Sequence, residues 1–424
     1  MKIGIIGTGI AGLSAAWLFN RAGHRLTLFE KQHALGMDAH SITSEQDGVA
    51  LRMDVPPRIF NVSQWPNLLT LYREVGVVFE AIDPSQSFSL FGKPNFLNVD
   101  VAYQPKLTDG PVITENLSRI MNDINRLAFD ASQDLADGLS NQTTLADYLQ
   151  SKAYSQDFIY GFLYPTLSST VCTCSYQSID AYPAPVILEA LLNLFGDQPL
   201  LRTKYGTQDV VVRLSRGIDD IRYRTGVCSV NSTPKGVRVE MTQGKAETFD
   251  HLIVATQANQ ALDFLANPSE AECKMLSAFS YEDVPIFVHQ DPGLMPAKSE
   301  DWLHINLIIA QDRRSSMCSV LMNRFYPDWQ IDPPIIQTIN PLFEPRPDTT
   351  ISQYRLQRPV VNAQSLAGLD LLSHLHQQPD RRIWFCGSYA AEGVPLLESA
   401  VLSSLRVANR LLVPLPESFS TNMV

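Results

Sequence analysis

The feature that most limits what this chain can fold into is a glycine-rich turn, GTGIAG, at residues 7–12. An apolar stretch precedes the turn, and a second apolar stretch at residues 25–29 follows it. Three glycines interrupt the hydrophobic run, so we expect neither a signal peptide nor a transmembrane helix, which needs about 20 apolar residues. The pattern instead predicts a buried strand, a tight turn, a helix over residues 13–21 and a second strand.

Each glycine of this turn has a separate role in a dinucleotide-binding fold. Gly7 allows the tight turn, Gly9 lets the backbone approach a pyrophosphate, and Gly12 lets the helix pack close to the sheet. The helix N-terminus also attracts phosphate. Glu30 ends the second strand 18 residues after Gly12, where a carboxylate can accept hydrogen bonds from ribose hydroxyls. A glycine turn in an ordinary α/β domain does not explain Glu30, so we predict a dinucleotide site.

Length, charge and cysteine content narrow the class of protein. A chain of 424 residues predicts two domains, and a formal net charge of −11 disfavours nucleic acid or an anionic membrane as a partner. The six cysteines are scattered and lack the pairing with histidines that zinc sites show, so we predict no metal site. Free thiols in a reducing, cytoplasmic compartment are expected; a redox pair at Cys172 and Cys174 is the alternative.

The far end of the chain repeats the strand, glycine and helix arrangement. Residues 383–386 are predicted as a buried strand, Gly387 as a turn and residues 398–412 as a helix. Residues 249–256 form another apolar stretch between the two ends. Because these parts lie far apart in sequence, a continuous nicotinamide-type Rossmann domain does not account for them.

With these motifs the chain resembles the flavoprotein superfamily of flavin amine oxidases, phytoene-type desaturases and protoporphyrinogen oxidases, and within it bacterial predicted NAD/FAD-binding oxidoreductases. The resemblance runs nearly end to end and rests on GTGIAG, MDVPPRIFNVSQWPNL, FDHLIVATQANQALDFL, PGLMPAKSEDW and FCGSYAAEG. It implies an α/β fold, in which a Rossmann-like FAD-binding domain of the GR2 type carries an inserted α+β substrate domain of mixed sheet and helices. The implied division assigns residues 1–79, 204–265 and 379–424 to the FAD-binding domain and residues 80–203 and 266–378 to the substrate domain.

The resemblance also implies which residues hold FAD. Leu397, which starts the last helix, would point its backbone N–H at the flavin N1–C2=O edge, where a helix N-terminus stabilises the charge of reduced flavin. Thr256 would end a strand that lies against the cofactor. The other implied contacts are Val227, Glu30 and Lys31 at the adenosine, Gly7, Gly9, Ile10, Ala11, Gly12 and Gly36 at the pyrophosphate, and Gly387 and Ser388 at the ribityl chain.

The sequence departs from the family pattern at three places, one of which is Ser388, where an acidic residue often binds the ribityl hydroxyls. Met37 and Asp38 replace a second glycine and a basic or polar residue, so a carboxylate near the pyrophosphate is unfavourable unless it turns away. The sequence DVPP at residues 54–57 replaces a glycine pair that commonly passes the flavin, and prolines lack the N–H that would contact the ring. A non-catalytic relative with weakened flavin binding is therefore one alternative.

The middle of the chain is predicted to shape a hydrophobic substrate pocket. Residues 157–165 are dense in aromatic side chains, and residues 183–195 predict a helix with a broad apolar face. The alternative is that these side chains are simply core. Arg58 is the one candidate for a catalytic position: it either anchors an acidic group or pairs structurally with Asp54 or a backbone carbonyl. His374 and His376 lie in a polar stretch and are expected at the surface.

Together these features predict an FAD-dependent oxidoreductase that oxidises a hydrophobic small molecule. The reaction would be amine or C–C dehydrogenation, with hydride transfer to flavin N5. A second alternative is a flavin-dependent, redox-neutral double-bond isomerase, which would release neither hydrogen peroxide nor a reduced acceptor. The sequence does not indicate an oligomeric state.

Overall fold

The computed structural model describes residues 1–46, 49–82, 84–99, 105–106, 115–194, 199–326, 329 and 331–419. Its strands in chain order are β1 (Lys2–Ile6), β2 (Arg25–Phe29), β3 (Ile42–Gln46), β4 (Val49–Met53), β5 (Phe79–Ile82), β6 (Gln86–Leu90), β7 (Asn95–Val99), β8 (Pro105–Lys106), β9 (Leu200–Thr203), β10 (Asp220–Arg222), β11 (Val227–Thr233), β12 (Gly236–Met241), β13 (Ala246–Phe249), β14 (His251–Val254), β15 (Tyr281–His289), β16 (Ile305–Ile309), β17 (Ser316–Leu321), β18 (Ile336–Ile339), β19 (Thr350–Pro359) and β20 (Ile383–Phe385).

The helices are α1 (Ile10–Arg21), α2 (Pro66–Glu74), α3 (Glu115–Ala136), α4 (Leu145–Ser151), α5 (Gln156–Phe158), α6 (Tyr164–Thr166), α7 (Tyr176–Asp180), α8 (Ala184–Leu194), α9 (Gly206–Leu214), α10 (Ala258–Phe264), α11 (Glu270–Ser277), α12 (Met322–Phe325), α13 (Ala363–His376) and α14 (Leu397–Arg410). Two π-helical turns, Ile159–Leu163 and Leu167–Val171, alternate with α5 and α6. Among the described residues, no helix has the length and apolar character that crossing a membrane requires.

A five-stranded parallel sheet holds the two ends of the chain together, in the order β10-β2-β1-β14-β20. The predicted strand at residues 25–29 is confirmed as β2, and the predicted C-terminal strand and helix are present as β20 and α14. Helix α1 begins at Ile10, three residues before the prediction, because Gly9 is already its N-cap. The predicted α/β fold with a Rossmann-like sheet is thus present.

The apolar stretch at residues 249–256 forms two strands rather than one. Strand β13 pairs antiparallel with β12, whereas β14 pairs parallel with β1. The chain therefore changes sheets at Asp250, whose carboxylate accepts a hydrogen bond from the backbone N–H of Lys2 at 2.7 Å. Strands β11, β12 and β13 form a separate three-stranded sheet, with Val237 and Val239 buried on its inner face.

The second large sheet is mixed and has eight strands, in the order β19-β15-β18-β17-β16-β6-β7-β8. Helices α3 to α8 contribute to the hydrophobic core on one of its faces. The aromatic segment at residues 157–165 belongs to this core, since Phe158 and Phe162 are fully buried and Phe162 lies 5.2 Å from the ring of Phe88. The predicted apolar helix over 183–195 is α8, and its predicted last residue lies outside the described part. The division into two domains stays a prediction.

The expectation that both histidines of SHLHQQPDRR are at the surface is wrong for His376. His374 is exposed, but His376 is buried and its Nε2 accepts a hydrogen bond from the backbone N–H of Phe385 at 3.1 Å. Residues of an α-helix are about 100° apart, so two histidines two positions apart face opposite sides of α13. The polar composition of the stretch conceals this difference.

Candidate functional site

A cleft of about 980 Å³ lies where the two large sheets meet. One wall comes from the carboxyl ends of β1, β2 and β14, and the other from β15 and β19. In open parallel sheets, ligands bind at the carboxyl ends of the strands. The cleft therefore occupies the position at which this topology predicts a nucleotide.

The glycine turn is shaped by close backbone contacts. Gly7 has a φ of +89°, and its N–H donates to the carbonyl of Phe29 at 2.9 Å, which joins the turn to the end of β2. A Cβ on Gly12 would stand 2.0 Å from the carbonyl oxygen of Gly7, so no side chain fits there. A Cβ on Gly9 would have no heavy atom within 4 Å, because this residue faces the open cleft. Gly7 therefore makes the predicted tight turn and Gly12 the predicted close packing of α1, whereas the approach of Gly9 to a pyrophosphate stays a prediction.

Glu30 is held rigidly at the end of β2. One of its carboxylate oxygens accepts hydrogen bonds from the backbone N–H and the hydroxyl of Thr8, at 3.2 and 2.5 Å, and the other accepts from the backbone N–H of Gln32 at 2.8 Å. Only 7% of Glu30 is exposed. An ionised carboxylate has about four acceptor sites, so the three bonds leave capacity for a ribose hydroxyl in the cleft.

Thr8 is a residue of the candidate site that sequence reasoning missed. Its hydroxyl donates to Glu30 and accepts from the backbone N–H of Gly36 at 2.9 Å, which ties the turn, the acidic residue and the returning chain together. Gly36 has a φ of +47°, and a Cβ there would lie 1.8 Å from the carbonyl oxygen of Thr8. The available signal was the hydroxyl at the first variable position of the motif, between Gly7 and Gly9.

Asp38, whose carboxylate was expected to oppose a phosphate, turns away from the cleft. It forms an ion pair with Arg52 and does not line the cleft, whereas its neighbours Met37 and Ala39 do. Pro56 and Pro57 are also outside the lining. The Asp38 carboxylate therefore does not occupy the space that is available to a dinucleotide.

The cleft brings together the predicted site residues with one exception. Gly12 does not line it and contributes only through the packing of α1 against the turn. It stays a prediction that each of the other site residues contacts a cofactor. The predicted residues that line the cleft are Gly7, Gly9, Ile10, Ala11, Glu30, Lys31, Gly36, Arg58, Val227, Thr256, Gly387, Ser388 and Leu397.

The N-terminus of α14 closes one end of the cleft through Leu397. Glu398 follows in the first turn, but its carboxylate accepts hydrogen bonds from the backbone N–H groups of Asn67 and Leu68 at 3.0 and 2.9 Å. It therefore caps α2 instead of facing the cleft, and burial raises its pKa. The negative charge next to the α14 N-terminus is thus directed away from the space beside Leu397.

Arg58 lines the cleft and has an unsatisfied guanidinium nitrogen. Its Nη1 is buried and has no hydrogen-bond partner among the described residues. The predicted pairing with Asp54 is not formed, because that carboxylate accepts from the backbone N–H and hydroxyl of Thr207, at 3.1 and 2.6 Å. Burial and the Arg58 charge lower the pKa of His40, which also lines the cleft. A buried cationic nitrogen without a partner is costly, so Arg58 is suited to an anionic group of a ligand.

Arg358 is a second cleft residue that sequence reasoning missed. Its Nε donates to the hydroxyl of Thr173 at 2.6 Å, and its Nη1 donates to the carbonyl of Pro395 at 3.2 Å. The side chain therefore links β19 to the loop before α14. No local sequence pattern indicated the position of Arg358, because its partner Thr173 is 185 residues away in sequence.

Comparisons with known proteins agree with this architecture. Residues 5–75 match the family model of the NAD(P)-binding Rossmann-like domain. A structure of wild-type putrescine oxidase bound to putrescine is 15% identical over 98% of this chain and 100% of that chain, with a TM-score of 0.66. A CLA-producing fatty acid isomerase from P. acnes is 14% identical over 97% of this chain and 98% of that chain, with a TM-score of 0.67.

Similarity at these identities shows the fold and leaves the reaction open. The resemblance inferred from the motifs is confirmed at the level of the fold, because both solved structures match this chain nearly end to end. Residues 5–75 are thus similar to an NAD(P)-binding Rossmann-like domain, and the chain as a whole shares the fold of the putrescine oxidase and fatty acid isomerase structures.

Proposed function

We propose that this chain is an FAD-dependent oxidoreductase that dehydrogenates a hydrophobic small molecule carrying an acidic group. The observation that carries the proposal is the continuous cleft of about 980 Å³, which extends from Glu30, past the glycine turn, to Arg58 and the N-terminus of α14. Its lining residues come from both the Rossmann-like sheet and the second sheet.

The residues present fit a dinucleotide cofactor. Gly12 and Gly36 lie so close to neighbouring backbone atoms that no side chain fits at either position. Gly9 has open space beside it, which is available to a pyrophosphate. Glu30 is fixed in place with acceptor capacity to spare for a ribose. When bound, FAD supplies a hydride acceptor for C–N or C–C dehydrogenation.

The chain's own residues would then bind and orient the substrate. Arg58 offers an unpaired guanidinium nitrogen to a carboxylate, and a charge-assisted hydrogen bond of this kind fixes orientation as well as adding affinity. Leu356, Pro395 and Leu396 line the cleft and exclude water from an apolar substrate. Arg358 holds the Pro395 loop in position through its carbonyl.

The absorption spectrum of the purified protein tests the cofactor. We expect the spectrum of oxidised flavin, release of FAD on denaturation, and a rise in thermal stability when FAD is added to the cofactor-free protein, because a ligand of the native state stabilises it. A colourless protein that gains no thermal stability from FAD would contradict the proposal and favour a non-catalytic relative.

The same preparation distinguishes oxidation from isomerisation. Anaerobic incubation with apolar carboxylates and amines should bleach the flavin for a true dehydrogenase, with hydrogen peroxide or a reduced acceptor formed when air or acceptor is admitted. Product formation without lasting bleaching and without either co-product would favour double-bond isomerisation and reject net oxidation.

Replacing Arg58 by methionine tests the substrate anchor. Benzoate should perturb the flavin spectrum of the wild type, and its affinity should fall roughly 10- to 100-fold in Arg58→Met, because one charge-assisted hydrogen bond contributes about 1.5–3 kcal/mol. Titration of each protein with benzoate, followed by flavin absorbance, measures this affinity.

Arg355→Met is the matched control for this substitution. Arg355 lines the same cleft, but its side chain is 69% exposed and forms a 3.5 Å ion pair with Asp283. The control should therefore bind benzoate as the wild type does. Loss of FAD itself from Arg58→Met would assign this residue to the cofactor phosphates and reject its role as the substrate anchor.

A further inference from the structure

A second cavity of about 180 Å³ lies in the eight-stranded-sheet part of the molecule. It is bounded by the ends of β6 and β16, by β7, by α3 and by the first π-helical turn. Its apolar walls are formed by Leu90, Phe96, Leu117, Ile120, Gly161 and Ile309. None of these residues lines the large cleft, so the cavity is a separate space.

The position of the cavity in the sheet shows how far it is from the cleft. The large cleft is lined by β15 and β19, whereas this cavity is lined by β16, β6 and β7. The nearest lining strands of the two sites, β15 and β16, are three strand spacings apart in the sheet. Neighbouring strands are about 4.8 Å apart, which gives roughly 14 Å between these two strands. The cavity is therefore not an extension of the cofactor-binding space.

One wall of the cavity is formed by a glycine, Gly161, which has no side chain to fill the space. A Cβ on Gly161 would lie 3.9 Å from Cζ of Phe96 and 3.3 Å from Cδ1 of Ile120, a close contact that a small shift at the end of the Ile120 side chain relieves, and it would meet no backbone atom. A larger residue could therefore enter this space, yet the chain has glycine in a π-helical turn. Native cores have few voids larger than a water molecule, and π-helical turns frequently occur at functional sites. The void is suited to an apolar ligand.

One side of the cavity carries charged groups. Asp157 and Arg313 line it, and the Nη1 of Arg313 donates to the Asp157 carboxylate at 3.0 Å. A guanidinium has five N–H donors, and this bond uses one of them. The side chain of Arg313 is 39% exposed, whereas that of Asp157 is only 17% exposed. Arg313 is thus the group that can reach an anionic head at the edge of an apolar cavity.

We propose that this cavity binds a medium-chain aliphatic carboxylate, with the hydrocarbon chain inside and the carboxylate on Arg313. An engineered apolar cavity of about 150 Å³ binds benzene, so a chain of roughly six to eight carbons matches the volume. The carboxylate would add a second charge-assisted contact to the Arg313 guanidinium beside Asp157. This site is distinct from the proposed active site and does not depend on its chemistry.

Isothermal titration calorimetry with octanoate tests the proposal. The protein is used with its FAD bound, or as purified if it contains no FAD. In Arg58→Met, which lacks the proposed substrate anchor, we expect saturable binding of one equivalent, and the cavity variants are compared in this background. Gly161→Leu fills the cavity and should weaken binding at least 30-fold, and Arg313→Gln should weaken it roughly 10-fold, as expected for one charge-assisted hydrogen bond. In the same background, 1-octanol should bind roughly 10-fold more weakly than octanoate, because it has no charge to offer.

Two further variants keep the test decisive. Arg314→Gln changes the exposed arginine next to Arg313 and should leave octanoate binding unchanged. Leu90→Phe is a second cavity-filling variant for the case that Gly161→Leu does not fold, and an unchanged thermal midpoint identifies a folded variant. Absence of octanoate binding to Arg58→Met, or equal binding by Arg58→Met with and without a folded cavity-filling substitution, would overturn the proposal.

Discussion

Gly12→Ala is expected to destabilise the protein and to weaken FAD binding at least about 100-fold. The added Cβ would stand 2.0 Å from the carbonyl oxygen of Gly7 and 3.3 Å from the Cβ of Ala255. Helix α1 must then move away from the turn, and a displacement of about 1 Å at a binding site can cost 100-fold. Because the contact is with backbone and cannot be relieved by a rotamer change, we expect a loss of about 3 kcal/mol in the free energy of unfolding.

Gly9→Ala is the matched variant, because it alters the same turn without a clash. Its Cβ would meet no heavy atom within 4 Å and would project into the cleft. The free energy of unfolding of the cofactor-free protein should change by less than about 1 kcal/mol, while FAD binding should weaken roughly 10-fold because the backbone can no longer approach the pyrophosphate.

Urea unfolding of the cofactor-free proteins and titration with FAD measure the two effects separately. Gly12→Ala should shift both the unfolding midpoint and the FAD affinity, whereas Gly9→Ala should shift the affinity alone. If Gly12→Ala unfolds at the wild-type midpoint and binds FAD normally, the close packing of α1 on the turn is not needed. Normal FAD binding by Gly9→Ala would show that no phosphate lies against Gly9.

The half of the candidate site around the glycine turn was predictable because its determinants are local in sequence. The strand, turn and helix around Gly7 follow from backbone restrictions that only glycine relieves, and Glu30 is placed by the length of the intervening helix. Gly36 was implied by the family resemblance alone; in the structure it has a φ of +47° and approaches the carbonyl of Thr8 closely. Constraints of this kind do not depend on the rest of the chain.

The other half of the site was not predictable, because it depends on contacts between distant segments. Arg358 gains its position from Thr173 and Pro395, and Asp54 is occupied by Thr207, which is 153 residues away. A single sequence contains no signal for such pairings. For this reason the role of Arg58 stayed divided between two alternatives until the partners of Asp54 were known.

Mild acid is expected to destabilise the protein through two buried histidines. Burial lowers the pKa of His376 to about 3 and that of His289 to about 4. His289 is fully buried, and its Nδ1 accepts the backbone N–H of Asp291 at 3.0 Å, while Nε2 contacts the hydroxyl of Thr338 at 2.8 Å. Protonation of either ring would require breaking the hydrogen bond that its acceptor nitrogen makes.

The direction of the effect follows from the number of protons bound in each state. In the unfolded chain both histidines have a pKa near 6.5, so below that pH the unfolded state binds more protons than the folded state. Their full contribution to stability is present above pH 6.5 and is lost as the pH falls toward the folded-state pKa. Each histidine costs about 1.4 kcal/mol per pH unit, which gives a combined loss of about 4 kcal/mol at pH 5.

His376→Gln isolates one of the two contributions. Glutamine has a side-chain oxygen that can accept the Phe385 N–H, but it does not titrate, so the slope of unfolding free energy against pH between 6.5 and 5 should decrease by about 1.4 kcal/mol per unit. His374→Gln is the control, because this residue is exposed on the opposite face of α13 and its replacement should leave the slope unchanged. Equal slopes for wild type and His376→Gln in urea titrations would mean that the folded protein protonates His376 without cost, and the buried, neutral state of this ring would be rejected.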